Sequence, residues 1–229
     1  MGESSAALRS QAFLGLIALA AIVAALVFGA AGTVHYAEAW VFLGTFFGSS
    51  LAVTLYLMKR DPQLLQRRVS GGPAAEQRPR QRIIQGLASG VFLAILAVPA
   101  LDHRFHWSRV PLSVAAAGDV LVALGFLAVF LVFRENSYAS AVIEVGAEQK
   151  VIDTGPYALV RHPMYAGALV LLAGIPLALG SWWGLLVLPP FAAVIAWRLL
   201  DEEAFLLQQL PGYAAYRRKT RYRLIPFVW

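Results

Sequence analysis

Long apolar runs separated by short polar links dominate the first half of the chain. An α-helix rises about 1.5 Å per residue and the hydrocarbon core of a bilayer is about 30 Å thick, so about 20 apolar residues suffice for one crossing. The pattern therefore predicts four transmembrane helices, at residues 12–32, 37–58, 83–101 and 112–133. Asp119 lies inside the fourth run, where an acid has either a function or a polar neighbour.

A longer apolar run at residues 163–200 predicts a helical hairpin. A single helix of this length would be about 57 Å long, nearly twice the thickness of the hydrocarbon core. Residues 180–183 contain a glycine, a serine and two tryptophans, which are typical of a turn at a membrane interface. Each arm also carries residues that interrupt helices, namely Gly174, Pro176, Pro189 and Pro190. Interrupted helices in a bilayer need protein or a cavity around them, so we expect the hairpin to line a pocket.

The resulting fold class is an all-α, polytopic integral membrane protein with about six transmembrane helices, the last two of which form the hairpin. Six crossings leave both termini on one side of the membrane. Under that assignment only Arg104 and Arg109 of the 19 lysine and arginine residues lie on the opposite side. Because lysine and arginine concentrate in cytoplasmic loops, we expect both termini and both ends of the hairpin to face the cytoplasm.

The composition and charge of the chain mainly exclude classes of protein and of binding site. Hydrophobic residues make up 59% of the chain and the mean hydropathy is +0.65, values that indicate a membrane protein rather than a soluble domain. The net charge of +6 comes from the links between apolar runs, so nucleic-acid binding is not predicted. The chain has no cysteine, and among its histidines only His103 and His106 are close together, so no metal site is predicted. The lipid bilayer is the expected partner, and no protein partner is predicted.

Polar residues at the first end of the hairpin are candidates for binding an anion. Arg161 and His162 precede Pro163, which suits the first turn of a helix. The free amides and the positive dipole at a helix start favour an anion there, for instance a carboxylate. An ordinary helix start at a membrane surface is the alternative interpretation of the same residues.

The second end of the hairpin carries Arg198, followed by three consecutive acids at residues 201–203. Arg198 and Glu202 are four residues apart, so they share one helix face and can pair or hold two ends of one ligand. Three acids in a row follow no amphipathic pattern, and we expect them to face His162 and the start of the other arm. A cavity lined by both charges suits a zwitterion. The alternative is an arginine that reaches the interface beside solvated acids.

Motifs in the second half of the chain resemble those of a known family. They are Gly155-Pro-Tyr157-x-x-x-Arg161-His162-Pro163-x-Tyr165-x-Gly167, Arg198-x-x-x-Glu202-Glu203, Tyr213-x-x-Tyr216 and Tyr222-Arg-Leu-Ile-Pro226. Together they are similar to the isoprenylcysteine carboxyl methyltransferase family and its relatives, the membrane phospholipid methyltransferases. The likeness covers about residues 134–226. It implies S-adenosylmethionine as cofactor, entering from the cytoplasm, and a lipophilic acceptor entering from the bilayer.

The resemblance also implies roles for individual residues. Arg198 matches the arginine that holds the acceptor carboxylate. Glu203 is a catalytic candidate, because an amine acceptor would have to lose a proton. Glu144 aligns with a further cofactor contact only across a gap. Together with the helix start, the matched positions give the predicted cofactor-binding residues Gln149, Lys150, Val151, Ile152, Tyr157, Arg161, His162, Pro163, Met164, Tyr165 and Glu202.

The expected function is carboxyl O-methylation of an isoprenylcysteine-like acceptor. Residues 135–229 would form the methyltransferase module, and residues 1–134 the acceptor side. N-methylation of a phospholipid amine is an alternative, with Glu203, His162 or a tyrosine as proton acceptor. Sterol reductases share the C-terminal pattern, so an NADPH-dependent reductase is a second alternative, although the sequence shows no phosphate-binding glycine loop. A non-catalytic lipid-binding protein is the third.

Overall fold

The computed structural model describes residues 2–71, 76, 78–143, 145 and 149–229, with side chains from residue 6 onwards. Glu144 lies outside the described residues. Within them every regular element is helical, which confirms the predicted all-α class. The helices are α1 (Gly2–Ala31), α2 (Ala37–Arg60), α3 (Pro62–Val69), α4 (Pro79–Phe105), α5 (Leu112–Glu135), α6 (Pro163–Ala178), α7 (Leu188–Gln209) and α8 (Tyr213–Lys219). Single turns of 3-10 helix lie at Gly155–Ala158 and Trp183–Val187.

Five helical stretches among the described residues are long and apolar enough to cross a membrane. They are Ala6–Ala31, Ala37–Arg60, Pro79–Phe105, Leu112–Glu135 and Trp183–Gln209. Helix α6 is also apolar but has only 16 residues. The predicted set of about six spans is therefore five full-length stretches and one short helix. Within α5, the Oδ1 atom of Asp119 is buried without a partner among the described residues.

The hairpin turns where the sequence predicts it. Helix α6 ends at Ala178, and Gly180 follows with a φ of 69°, a left-handed conformation that glycine adopts without strain. The prediction of interrupted arms was wrong. Pro189 and Pro190 lie in the first turn of α7, where proline removes no helical hydrogen bond, and Pro176 lies in the last turn of α6. Helix α6 is thus continuous, and the second arm passes from 3-10 helix at Trp183–Val187 into α7 at Leu188.

The polar link after α2 contains a helix that the sequence pattern did not predict. Helix α3 begins after Asp61, whose Oδ1 accepts a hydrogen bond from the amide of Leu64. Leu64 and Leu65 are buried, so this short helix is anchored in the protein by its apolar face. Helix α4 likewise begins four residues earlier than the predicted span, which carries its polar first turn towards the end of α7.

Glycines bring α5 and α6 into direct backbone contact. A Cβ atom added at Gly125 of α5 would lie 2.5 Å from the Leu171 amide nitrogen, and one added at Gly118 would lie 2.2 Å from that of Ala178. Gly167 and Gly174 supply the matching small positions on α6. Small residues at such an interface allow helices to pack closely in a bilayer. This packing fixes the start of α6, with its polar residues, against the end of α5.

Candidate active site

The segment before α6 is held by the C-terminal tail. His162 is the residue that caps α6, and Pro163 is the first residue of the helix. The amide of Arg161 donates to the carbonyl of Tyr222, and the amide of His162 donates to the carbonyl of Arg223, both at 2.9 Å. These bonds satisfy backbone that no helix supports. The tail therefore fixes the position of the two residues next to the helix start.

A cleft opens beside this segment and brings the predicted cofactor residues together. It lies between residues 136–143 and 149–152, the start of α6, the end of α7 and α8. Together with the space at its open mouth it has a volume of about 850 Å³. All the predicted cofactor-binding residues line it, as does Arg198: Gln149, Lys150, Val151, Ile152, Tyr157, Arg161, His162, Pro163, Met164, Tyr165, Glu202 and Arg198. Glu203 is not among its lining residues.

The hydroxyl of Tyr165 connects the two charged residues of α7 that face the cleft. It donates to Glu202 Oε2 at 2.5 Å and accepts from Arg198 Nε at 2.9 Å. Arg198 Nη2 also donates to the carbonyl of Ala141 at 3.1 Å. Arg198 and Glu202 thus share one helix face, as their spacing predicts, and they meet through a tyrosine of α6. The cleft wall carries a cation and an anion side by side.

Glu203, the acid that follows Glu202, belongs to a separate buried network of hydrogen bonds. Glu203 Oε1 accepts from Arg161 Nε at 2.6 Å and lies 3.2 Å from His162 Nε2. Its other oxygen accepts from Arg223 Nε at 3.1 Å. The side chains of Glu203 and Arg161 are each 4% exposed. Glu203 therefore supports the cleft from behind, by fixing Arg161 and His162.

The acid on the other side, Asp201, faces the first turn of α4. It accepts from Gln81 Nε2 at 2.5 Å and lies 3.0 Å from Arg78 Nη1. Successive helical residues point about 100° apart, so three consecutive acids reach three different surroundings. Asp201 does not face the start of α6, whereas Glu202 contacts Tyr165 and Glu203 contacts His162, so the expectation that all three acids would face it was wrong.

Three tyrosines line the cleft besides Tyr165: Tyr157, which the sequence predicts as a cofactor-binding residue, and Tyr213 and Tyr216, which it does not single out as site residues. The hydroxyl of Tyr157 accepts from Asn136 Nδ2 at 2.7 Å, and that of Tyr216 donates to the Tyr157 carbonyl at 2.8 Å. The buried hydroxyl of Tyr213 has no partner among the described residues, although Tyr213 lines the cleft. Burial raises the pKa of Tyr157 to about 12 and raises those of Tyr213 and Tyr216 as well. All three phenols are therefore neutral at physiological pH.

The other residues that line the cleft carry little or no signal in the sequence. Tyr213 and Tyr216 belong to a motif that supports the family resemblance, but the motif gives no orientation for their hydroxyls. The others carry no recognisable pattern: Asn136, Tyr138, Ala139, Ser140, Val142, Ile143, Leu206 and Leu210. They come from an irregular segment and from one apolar face of α7, which become neighbours only in the folded protein.

Comparison with known proteins relates part of the chain to a protein family. Residues 114–211 match the family model described as phospholipid methyltransferase. The matched segment belongs to the membrane methyltransferase group. It begins in the first turn of α5, ends just after α7, and includes Arg198 and Glu202. The family resemblance drawn from the motifs is thereby confirmed. No curated protein matches the chain.

Proposed function

We propose that this protein is an S-adenosylmethionine-dependent methyltransferase that esterifies the carboxyl group of an isoprenylcysteine-like acceptor. The observation that carries the proposal is the convergence of all the predicted cofactor residues on one cleft. These residues come from the segment before α6, from α6 itself and from α7, which are far apart in the sequence. Arg198 lies in the same wall and is the proposed acceptor-orienting residue.

The cleft has the chemistry that S-adenosylmethionine requires. This cofactor combines an amino-acid zwitterion, a sulfonium and an adenosine, and when bound it supplies a methyl group on the positive sulfur. His162 and Arg161 at the start of α6 would hold its carboxylate, and Glu202 would hold a positive group. The buried hydroxyl of Tyr213 is available to a ligand, because no described residue uses it.

The arrangement of acids favours an acceptor that is already ionised. A carboxylate needs no base, so the site has only to align it with the methyl group in dry surroundings. Arg198 would orient that carboxylate. An ammonium acceptor would have to lose a proton first. Among the candidate bases, Glu203 lies behind the cleft wall, where it contacts His162, and the tyrosines are neutral hydroxyl groups.

A groove between α4 and α7 supports a lipophilic acceptor. Its lining is apolar: Val91, Ala94, Val98, Trp107, Trp183, Leu186, Val187 and Pro190. Arg198 lies eight residues beyond Pro190 on α7, which corresponds to about 12 Å along the helix. An acceptor with its acid at Arg198 could therefore lay an apolar chain along this groove.

N-methylation of a phospholipid amine is the second candidate. The observation in its favour is the match of residues 114–211 to the phospholipid methyltransferase family model. In this reaction Glu202, which lines the cleft, would be the nearest acid to take up the amine proton.

Methyl transfer to defined acceptors tests the proposal. Protein in vesicles would be given cofactor with a labelled methyl group and either a farnesylated thioether carboxylic acid or phosphatidylethanolamine. We expect the thioether acid to become labelled. Base hydrolysis should release this label as methanol, as it does from a methyl ester. Base-stable label in the phospholipid would instead establish N-methylation. Transfer to neither acceptor, with NADPH oxidised in the presence of a sterol, would replace the proposal by the reductase.

Arg198→Ala tests the role of the proposed acceptor residue. We expect this variant to lose methyl transfer and to retain cofactor binding. Arg218→Ala, which removes an exposed arginine of α8, is the control and should keep both. Equal loss of cofactor binding in Arg198→Ala would contradict the assigned role.

A further inference from the structure

A second arginine reaches the wall of the cleft from the N-terminal half of the chain. Arg68 is on α3, and its guanidinium lies 5.1 Å from the centre of the Phe133 ring. Its Nη1 donates to the carbonyl of Ser140 at 3.2 Å and lies 3.9 Å from Met164 Sδ. Ser140 and Met164 both line the cleft, and Arg68, which is half-buried, lies just outside this lining. Arg68 is outside the family segment at residues 114–211, so the family match assigns it no role.

Arg198 approaches the same wall from α7. It donates to the carbonyl of Ala141, the neighbour of Ser140, and to the hydroxyl of Tyr165, the neighbour of Met164. The charge of Arg198 and the hydroxyl of Tyr165 are also close enough to Arg68 to influence its pKa. The two guanidinium groups therefore lie near one part of the wall.

The charge of Arg68 is not balanced within the described part of the protein. No carboxylate there forms an ion pair with it, whereas Arg161 and Arg223 both pair with Glu203. Burial lowers the pKa of Arg68, and the like charge of Arg198 acts in the same direction. A buried charge is costly unless an opposite charge accompanies it. Guanidinium groups bind carboxylates and phosphates with two parallel hydrogen bonds, so an anionic ligand would relieve this cost.

We propose that Arg68 and Arg198 together form a subsite for the acidic group of the acceptor. The ligand class is an amphiphile with a carboxylate or a phosphate, and a neutral amphiphile of the same chain length would bind poorly. The role as acceptor subsite rests on the proposed methyltransferase function. The anion binding itself does not, and it can be measured separately. The subsite would make residues outside the family segment responsible for acceptor selectivity.

Binding of three dodecyl amphiphiles tests this subsite. The probes are dodecyl phosphate, dodecanoate and dodecanol, added to the full chain in nanodiscs of phosphatidylcholine. We expect wild-type protein to bind one or both anions at least about 10-fold more tightly than dodecanol. Arg68→Gln should reduce the affinity for the anion about 10- to 100-fold, because a hydrogen bond to a charged group is lost, and should leave dodecanol unchanged. A preference for phosphate or for carboxylate would identify which acid the acceptor carries.

Arg67→Gln is the matched control. Arg67 is the adjacent arginine of α3, it donates to the carbonyl of Ser137, and it lies 5.6 Å from the centre of the Tyr138 ring. It thus has the same kind of structural contacts as Arg68 without those to Ser140 and Met164. We expect Arg67→Gln to bind the anions as the wild type does. An equal loss of anion binding in both variants would show that the arginines only hold residues 137–140 in place, and would overturn the proposal.

S-adenosylhomocysteine binding separates this proposal from the methyltransferase function. We expect Arg68→Gln to bind S-adenosylhomocysteine as tightly as wild type. Loss of that binding together with anion binding would indicate a collapsed cleft and would overturn the subsite. If wild-type protein binds anions through Arg68 but does not bind S-adenosylhomocysteine, the subsite stands and the methyltransferase proposal fails. Wild-type protein that binds dodecanol as tightly as both anions would also rule the subsite out.

Discussion

The carboxylate of Glu203 and the guanidinium of Arg161 form a buried ion pair, with 2.6 Å between Oε1 and Nε. It joins the end of α7 to the segment before α6. Arg223 of the C-terminal tail binds the other carboxylate oxygen. Three segments that are distant in sequence are thus connected through one side chain at the back of the cleft.

Glu203→Ala is expected to destabilise the protein. Removing one partner of a buried ion pair leaves the other charge without compensation, which costs about 3–5 kcal/mol. The midpoint of thermal unfolding, followed by tryptophan fluorescence in detergent, should fall clearly below that of the wild type.

The neighbouring acid provides the control for Glu203. Glu202 lines the cleft and accepts one hydrogen bond, from Tyr165, so Glu202→Ala should change the midpoint much less. If Glu203→Ala unfolds at the wild-type temperature and loses only methyl transfer, Glu203 acts in catalysis rather than in support of the cleft.

Tyr213→Phe is expected to weaken cofactor binding without loss of stability. Its hydroxyl is buried and has no partner among the described residues, so its removal breaks no bond that they make. A hydrogen bond to the ligand contributes about 0.5–1.5 kcal/mol, so the dissociation constant for S-adenosylhomocysteine should rise about 2- to 10-fold. Isothermal titration calorimetry measures this change.

Tyr216→Phe is the comparison for Tyr213→Phe. The hydroxyl of Tyr216 donates to the carbonyl of Tyr157, so its loss should lower the thermal midpoint. Unchanged affinity in Tyr213→Phe would remove its hydroxyl from the proposed cofactor contacts.

Gly125→Ala tests the contact between α5 and α6. The added Cβ would lie 2.5 Å from the Leu171 backbone, which cannot move away as a flexible side chain can. Overpacking of this kind costs about 1–3 kcal/mol, so the thermal midpoint should fall. Gly44→Ala in α2 meets no described atom within 4 Å and should leave the midpoint unchanged or raise it. Equal midpoints in the two variants would show that α5 and α6 are not in such close contact.

The membrane orientation can be tested with single cysteines, because the chain has none of its own. The distribution of lysine and arginine predicts that α8 faces the cytoplasm and that the link between α4 and α5 faces the other side. In intact cells, an impermeant maleimide should label Arg109→Cys and should label Arg218→Cys only after lysis. Both positions are exposed in the fold. The reverse pattern would invert the proposed topology.

The spans and the hairpin could be predicted because hydrophobicity reports them directly. In a chain this apolar, Arg161, His162 and Glu202 also stand out, since charged groups near a bilayer need a reason to be there. Pro189 was wrongly predicted to interrupt a helix, because the sequence alone does not distinguish a proline in the first turn of a helix from one in its middle. Only the position of the helix start, which the sequence leaves open by several residues, separates the two cases.

The different contacts of the three consecutive acids could not be predicted from the sequence. Asp201, Glu202 and Glu203 are equivalent until the neighbours of each helix face are known. Helix α3 was missed because its hydrophobic content, centred on Leu64 and Leu65, is too small to stand out from a polar link. The contribution of Arg68 follows from that helix, so it too depends on the fold.

Calorimetric binding of S-adenosylhomocysteine to the purified protein in nanodiscs tests the central claim most directly. The proposed cleft predicts micromolar binding to the wild type, and loss of that binding in Glu202→Ala at an unchanged thermal midpoint. Binding to Arg218→Ala should match the wild type. Absence of binding to folded wild-type protein, or equal binding to Glu202→Ala, would contradict the assignment of this cleft as the cofactor site.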